Sequence, residues 1–252
     1  MKRVGIGVAL LGLTFGALGL AKAQTGSSTR AATTTPASLR WQASFDAFAA
    51  ADQARAPQPG GVLFVGSSSI RLWDDLETAF GTEAVVTKRG FGGSRLSDCV
   101  EWVDRLVIRY RPRLVVLYAG DNDLAEGATP DEVAARFDHF VTAVRAELPA
   151  TRIAYLSIKP SPLRASLMDD AREANALIAE RARRGDNLDF IDIYSLMLGP
   201  EGQPRSDLYG PDRLHLNAAG YALWRAAIAA HLRAGASPTP LASTTSAPTI
   251  NR

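Results

Sequence analysis

The sequence predicts an α/β fold, a three-layer α/β/α sandwich built on one parallel sheet. Three observations predict it. Short apolar runs alternate with longer stretches of helical periodicity, the pattern of strands joined by crossover helices. The clearest run, Leu114-Val115-Val116-Leu117-Tyr118, is apolar at every position, as a strand covered on both faces requires. The chain has 252 residues, and once its atypical ends are set aside it suits one such domain.

Taken in order, residues 61–65 are an apolar run ending at Gly66 and Ser67, which reads as a buried strand meeting a turn. Residues 85–87 are a second strand candidate, 114–118 the third, 152–158 the fourth and 188–191 the fifth. Helical patterns cover 96–110, 130–148, 167–184 and 217–232. The helix at 130 has a defined start: Thr129 as cap, Pro130 at the first helical position, and Asp131 and Glu132 in the first turn. Five strands in this arrangement favour the doubly wound, flavodoxin-like order 2-1-3-4-5. Ligands then bind beyond the carboxyl ends of the strands.

The ends differ in character. Met1-Lys2-Arg3, an apolar stretch over 4–20 and Ala21-Lys22-Ala23 together read as a secretory signal, cleaved after residue 23. A retained anchor is the alternative. Residues 24–37 are a flexible Ser/Thr-rich spacer, 38–236 the folded domain and 237–252 a disordered tail. Membrane contact is expected only through the signal, and the location is periplasmic or secreted. The leader holds Lys2, Arg3 and Lys22 and no acid, so its removal takes the formal charge from +2 to −1. A near-neutral chain gives no support to nucleic-acid binding. Cys99 is the only cysteine, which excludes an internal disulfide, and its neighbours Leu96, Val100 and Val103 mark it as a buried small hydrophobe.

Four short motifs carry chemistry: Gly66-Ser67-Ser68-Ser69-Ile70, Gly90-Phe91-Gly92-Gly93, Gly120-Asp121-Asn122-Asp123 and Asp212-Arg213-Leu214-His215. Ser68, Gly93 and Asn122 each follow the end of an expected strand, so they converge on one sheet edge. At a strand-to-helix turn Ser68 would stand above the sheet beside the free amides of the helix start. The bland alternative is three serines capping that helix. The glycines allow a backbone N–H to approach a reacting oxygen, or form an ordinary turn. They lack the Lys-Ser/Thr of a phosphate loop and the spacing of a dinucleotide fingerprint. An Asn amide donates to an oxyanion without bringing charge, or bonds its own turn. Asp121 and Asp123 suggest a cation loop, but the Gly and distal Glu of a calcium loop are missing. His139 and His231 fall within helical patterns. His215 follows Asp212 by three residues in a turn, so the carboxylate can hold Nδ1–H and leave Nε2 to take a proton from Ser68.

This set resembles the SGNH hydrolases, the GDSL-type lipases and esterases, whose Ser, Gly, Asn and His blocks stand in the same order. The subgroup with Gly-Ser-Ser-Ser-Ile resembles small bacterial esterases related to the platelet-activating-factor acetylhydrolases. The resemblance covers nearly the whole folded domain. It implies Ser68 as nucleophile, His215 as base, Asp212 as its partner, and an oxyanion hole of the Ser68 backbone, Gly93 and Asn122. Gly93 is preferred to Gly92 as the last glycine of its block. Two positions depart from the family pattern: Ser67 stands where Asp is usual before the nucleophile, and Lys88 where Asn often opens the second block.

The expected activity is serine-dependent hydrolysis of short-acyl carboxylic esters, acetyl above all, without metal or organic cofactor. The substrate would be a small molecule or an O-acetylated envelope polysaccharide. Lysophospholipid or thioester hydrolysis suits the same machinery. Rivals from other classes are a non-catalytic envelope binding module and a flavodoxin-like nucleotide binder, the second disfavoured by the missing phosphate-loop chemistry.

Overall fold

The computed structural model describes residues 40–81 and 84–235. The signal, the spacer and the tail read from the sequence lie outside the described residues. Within them, five strands, β1 (Val62–Gly66), β2 (Val86–Gly90), β3 (Leu114–Tyr118), β4 (Arg152–Leu156) and β5 (Leu188–Ile191), form one sheet in the order β2-β1-β3-β4-β5. Every pairing is parallel. This is the doubly wound order expected from the sequence.

Side-chain alternation along the strands builds two separate cores. Leu63, Val65, Val115, Leu117, Ile153 and Tyr155 share one core with α1 (Gln42–Ala54), α3 (Leu96–Glu101), α6 (Pro130–Glu147) and α7 (Met168–Arg184). Phe64, Val116, Tyr118 and Leu156 share the other with Trp73, Leu76 and Phe80 and with Trp224 and Ile228 of α8 (Ala218–Gly235). All five residues of β1 and of β3 are buried, as two covered faces demand.

Several boundaries differ from the sequence expectation. The second strand runs over Val86–Gly90 rather than 85–87, and Val85 lies 63% exposed outside it. The fourth ends at Leu156, two residues before 158. The expected single helix over 96–110 is three pieces: α3, α4 (Val103–Leu106) and a 3-10 turn at Ile108–Tyr110. The breaks fall at Trp102 (φ −105°, ψ 17°) and Val107 (φ −127°, ψ −57°). Aromatic and β-branched residues lose rotamer freedom in a helix, and Trp102 instead packs its ring on Phe45, 4.8 Å away. Helix α6 begins as read. Thr129 Oγ1 accepts from the Glu132 N–H and Glu132 Oε2 accepts from the Thr129 N–H, closing a capping box.

Register brings the site together. Gly66 of β1 stands opposite both Gly90 of β2 and Tyr118 of β3, so all three strands end level. The residues that follow them emerge at one edge. Gly66 permits this closeness: a Cβ there would lie 1.8 Å from the Tyr118 carbonyl oxygen, and its φ is +143°.

Candidate active site

Immediately after β1 the chain turns into a one-turn helix, α2 (Ser68–Arg71). The three serines divide sharply there. Ser67 and Ser69 are buried with hydroxyls that have no hydrogen-bond partner. Ser68 is partly exposed and its Oγ lies 2.9 Å from His215 Nε2. Ser68 is also the first helical residue, whose N–H has no acceptor within the helix.

His215 sits in a loop that follows the turn at 210–213. Gly210 N–H donates to the His215 carbonyl and Arg213 N–H to the Gly210 carbonyl, both at 2.9 Å. Arg213 takes a left-handed φ of 58°, which reverses the chain between Asp212 and His215. Asp212 Oδ2 lies 2.5 Å from His215 Nδ1, while its Oδ1 accepts from the backbone N–H groups of Leu214 and His215 at 3.0 Å. These bonds, the backbone ones first, hold the Asp212 carboxyl down at about 2. Asp212, His215 and Ser68 thus form one hydrogen-bonded chain from carboxylate through imidazole to hydroxyl.

The loop after β2 supplies Gly93 at φ +73°, a left-handed position that favours glycine. Trp41 Nε1 donates to the Gly92 carbonyl at 2.9 Å. That carbonyl belongs to the same trans peptide unit as the Gly93 N–H, so the bond fixes the plane and turns the N–H away from Trp41. Gly92, the other glycine weighed for this role, has its space filled: a Cβ there would lie 2.8 Å from Arg71 Nε.

After β3, Asn122 lies in α5 (Asp121–Ala125). Its Nδ2 donates to the Ser94 carbonyl at 3.0 Å and its Oδ1 accepts from Arg164 Nη2 at 2.9 Å. Arg164 belongs to the 3-10 segment Pro162–Leu167 that follows β4. Sequence reasoning missed it, because its contact with Asn122 spans 42 residues and joins α5 to this separate segment. The acids flanking Asn122 do not form a cation loop but face different partners. Asp121 is paired with Lys159 Nζ at 3.0 Å, and Asp123 with Arg136 Nη1 at 2.7 Å and the Leu96 N–H at 3.0 Å. Among the described residues no group of His, Cys, Asp and Glu is placed to hold a metal ion. Cys99 is buried, and burial pushes its thiol well up, away from thiolate chemistry. His139 is exposed on α6, and His231 faces Asp189 at 3.5 Å.

A parallel sheet in this strand order, with Ser68, the 90–93 loop, Asn122 and the Asp212/His215 pair gathered at its carboxyl edge, defines an SGNH-type hydrolase architecture. The profile of the GDSL-like lipase/acylhydrolase family matches residues 65–223, and the chain belongs to that family. Among solved structures it is similar to a platelet activating factor protein from Streptococcus pneumonia, at TM-score 0.67 and 22% identity over 77% of this chain and 92% of that one. It is similar also to a GDSL-like lipase from Bacteroides thetaiotaomicron, at TM-score 0.63 and 23% identity over 76% of this chain and 98% of that one. A carbohydrate esterase family 3 structure from Talaromyces cellulolyticus aligns at TM-score 0.55 and 16% identity, covering 69% and 96% respectively. At these identities the likeness is one of fold. No curated protein matches the chain.

Proposed function

We propose that the protein is an exported serine esterase that hydrolyses short-acyl carboxylic esters, acetyl esters above all. The hydrogen-bonded chain Asp212–His215–Ser68 carries this reading. His215 Nε2 takes the Ser68 proton as Oγ attacks the ester carbon. Asp212 keeps Nδ1 protonated and stabilises the imidazolium that forms. The oxyanion of the tetrahedral intermediate is held by Asn122 Nδ2 and the backbone N–H groups of Gly93 and Ser68, donors that are fixed before charge develops. The imidazolium then gives its proton to the departing alkoxide, leaving an acyl-Ser68 ester. A water, deprotonated by the same imidazole, attacks that ester and returns free acid and free hydroxyl.

The fold is compatible with acetyl esters of carbohydrates, since an acetyl esterase and carbohydrate esterases share it. The leader pattern at 1–23 supports export to the periplasm or beyond. Hydrolysis of p-nitrophenyl acetate by the wild type, abolished in Ser68→Ala and retained at least in part in Ser67→Ala and Ser69→Ala, tests the proposal. A serine-directed phosphonate that labelled Ser67 or Ser69 and spared Ser68 would overturn the nucleophile. A wild type without esterase activity on an acyl-length series would favour the binding-module reading.

A further inference from the structure

The Asn122 side chain is held from two sides by partners in different loops. The strand order explains why. Asn122 follows β3, which lies between β1 and β4, so one side of it faces the loops beyond β1 and β2 and the other the loop beyond β4. On the first side Nδ2 donates to the Ser94 carbonyl at 3.0 Å. On the second, Oδ1 accepts from Arg164 Nη2 at 2.9 Å. Flipping the amide would turn its NH₂ onto guanidinium donors and its oxygen onto a carbonyl, two repulsive contacts in place of two bonds. One of these bonds is charge-assisted and so among the stronger ones.

Arg164 is itself fixed. Its Nη1 donates to the Asp121 carbonyl at 2.8 Å and lies 3.3 Å from Asp121 Oδ2. Asp121 Oδ2 also accepts from Lys159 Nζ at 3.0 Å and Tyr118 OH at 3.1 Å. Lys159 and Tyr118 are both buried. The cluster therefore combines two cations with one carboxylate and keeps a net positive charge behind the amide oxygen. A cation on Oδ1 draws electron density from the amide and makes its N–H groups better donors.

We infer that Arg164 is a positioning residue for ester hydrolysis. It locks the Asn122 amide with its NH₂ toward the nucleophile side and strengthens the donor that meets the oxyanion. Asp121 and Lys159 hold the guanidinium in place. This rests on the serine-esterase reading above, in which Asn122 serves the oxyanion.

The test is a double-mutant cycle on the full chain with p-nitrophenyl acetate. Arg164→Ala lowers kcat by roughly 10- to 100-fold and moves KM less than about threefold, the size of effect that a misplaced donor produces. Arg164→Lys keeps the charge but lacks the fork that spans the Asp121 carbonyl and Asn122 Oδ1, and falls between wild type and alanine. In an Asn122→Ala background, Arg164→Ala costs less than about twofold, because the group it positions is gone. Thermal melts identify folded variants, and if Arg164→Ala does not fold, Arg164→Lys and Arg164→Met complete the cycle. Equal losses in the two backgrounds, or a loss expressed in KM, would overturn the positioning role. A wild type that is inactive, or a Ser68→Ala variant that is active, would instead remove the reading beneath it, so the two failures are distinguishable.

Discussion

The Asp212 carboxyl, held at about 2 by two backbone N–H groups and the imidazole of His215, stays ionised under any ordinary assay condition. Asp212→Asn removes the anion that stabilises the imidazolium formed as Ser68 attacks. It also presents an amide NH₂ to Nδ1 and disfavours the useful tautomer, and kcat falls by about 10²–10⁴. A folded Asp212→Asn variant that turns over at the wild-type rate would remove Asp212 from the mechanism. Asn122→Ala lowers kcat by about 10²–10³ with little change in KM, since the donor matters once charge has developed. At this scale the sequence is informative where partners are close in the chain: the three-residue spacing puts Asp212 within reach of His215. It also singles out Ser68 by its place at the strand-to-helix turn, but the burial that separates the three serines comes from the fold, with Ser67 and Ser69 sealed and Ser68 facing the imidazole.

Among the elements, β3 was fully legible because five consecutive apolar residues leave no other placement, and α6 because its cap, proline and acids agree. Helix α1 was not foreseen. It buries only Phe45, so its apolar period is weak, and its worth comes from tertiary contacts. Phe45 packs with Phe91 and Trp102, and Trp41 just before it bonds Gly92 and meets Phe91 edge-on at 5.3 Å. This element braces the loop that carries Gly93. Trp41→Phe keeps an aromatic ring on Phe91 but loses the donor to the Gly92 carbonyl. The expected result is a stability loss of about 1 kcal/mol together with a fall in kcat larger than any change in KM, as the Gly93 N–H loses its fixed direction. Denaturant unfolding and steady-state kinetics on the same variant check both parts. A change in stability alone would make Trp41 a packing residue only. Gly66→Ala is different in kind, since a methyl 1.8 Å from the Tyr118 carbonyl forces β1 and β3 apart, and little folded protein is expected.

Across the whole molecule, apolar strands fill the middle of the sheet and the buried ions gather at its carboxyl edge. Among the described residues Asp121 and Lys159 are the deepest ion pair, with side chains 7% and 1% exposed. Burial pushes the Asp121 carboxyl up, but Lys159, then Arg164, pull it down further, and the net shift is downward. A depressed folded-state pKa contributes stability that is present above the unfolded carboxylate value of about 3.9 and lost as pH falls through the lower folded value. The pair is nevertheless a poor investment in stability as such, because desolvating two ions offsets much of their attraction. Lys159→Met strands a buried carboxylate with only Arg164 and Tyr118 near it. Such breaks cost about 3–5 kcal/mol, or roughly 6–20 °C in Tm for a domain of this size. Asp121→Asn/Lys159→Met removes both charges in similar volume, so its Tm at pH 7 returns to within a few degrees of wild type. Its kcat stays depressed, because Arg164 has lost the carboxylate that anchors it behind Asn122. A double variant that melts as early as Lys159→Met, or that melts normally and turns over at the wild-type rate, would show that the pair serves the fold and not the site.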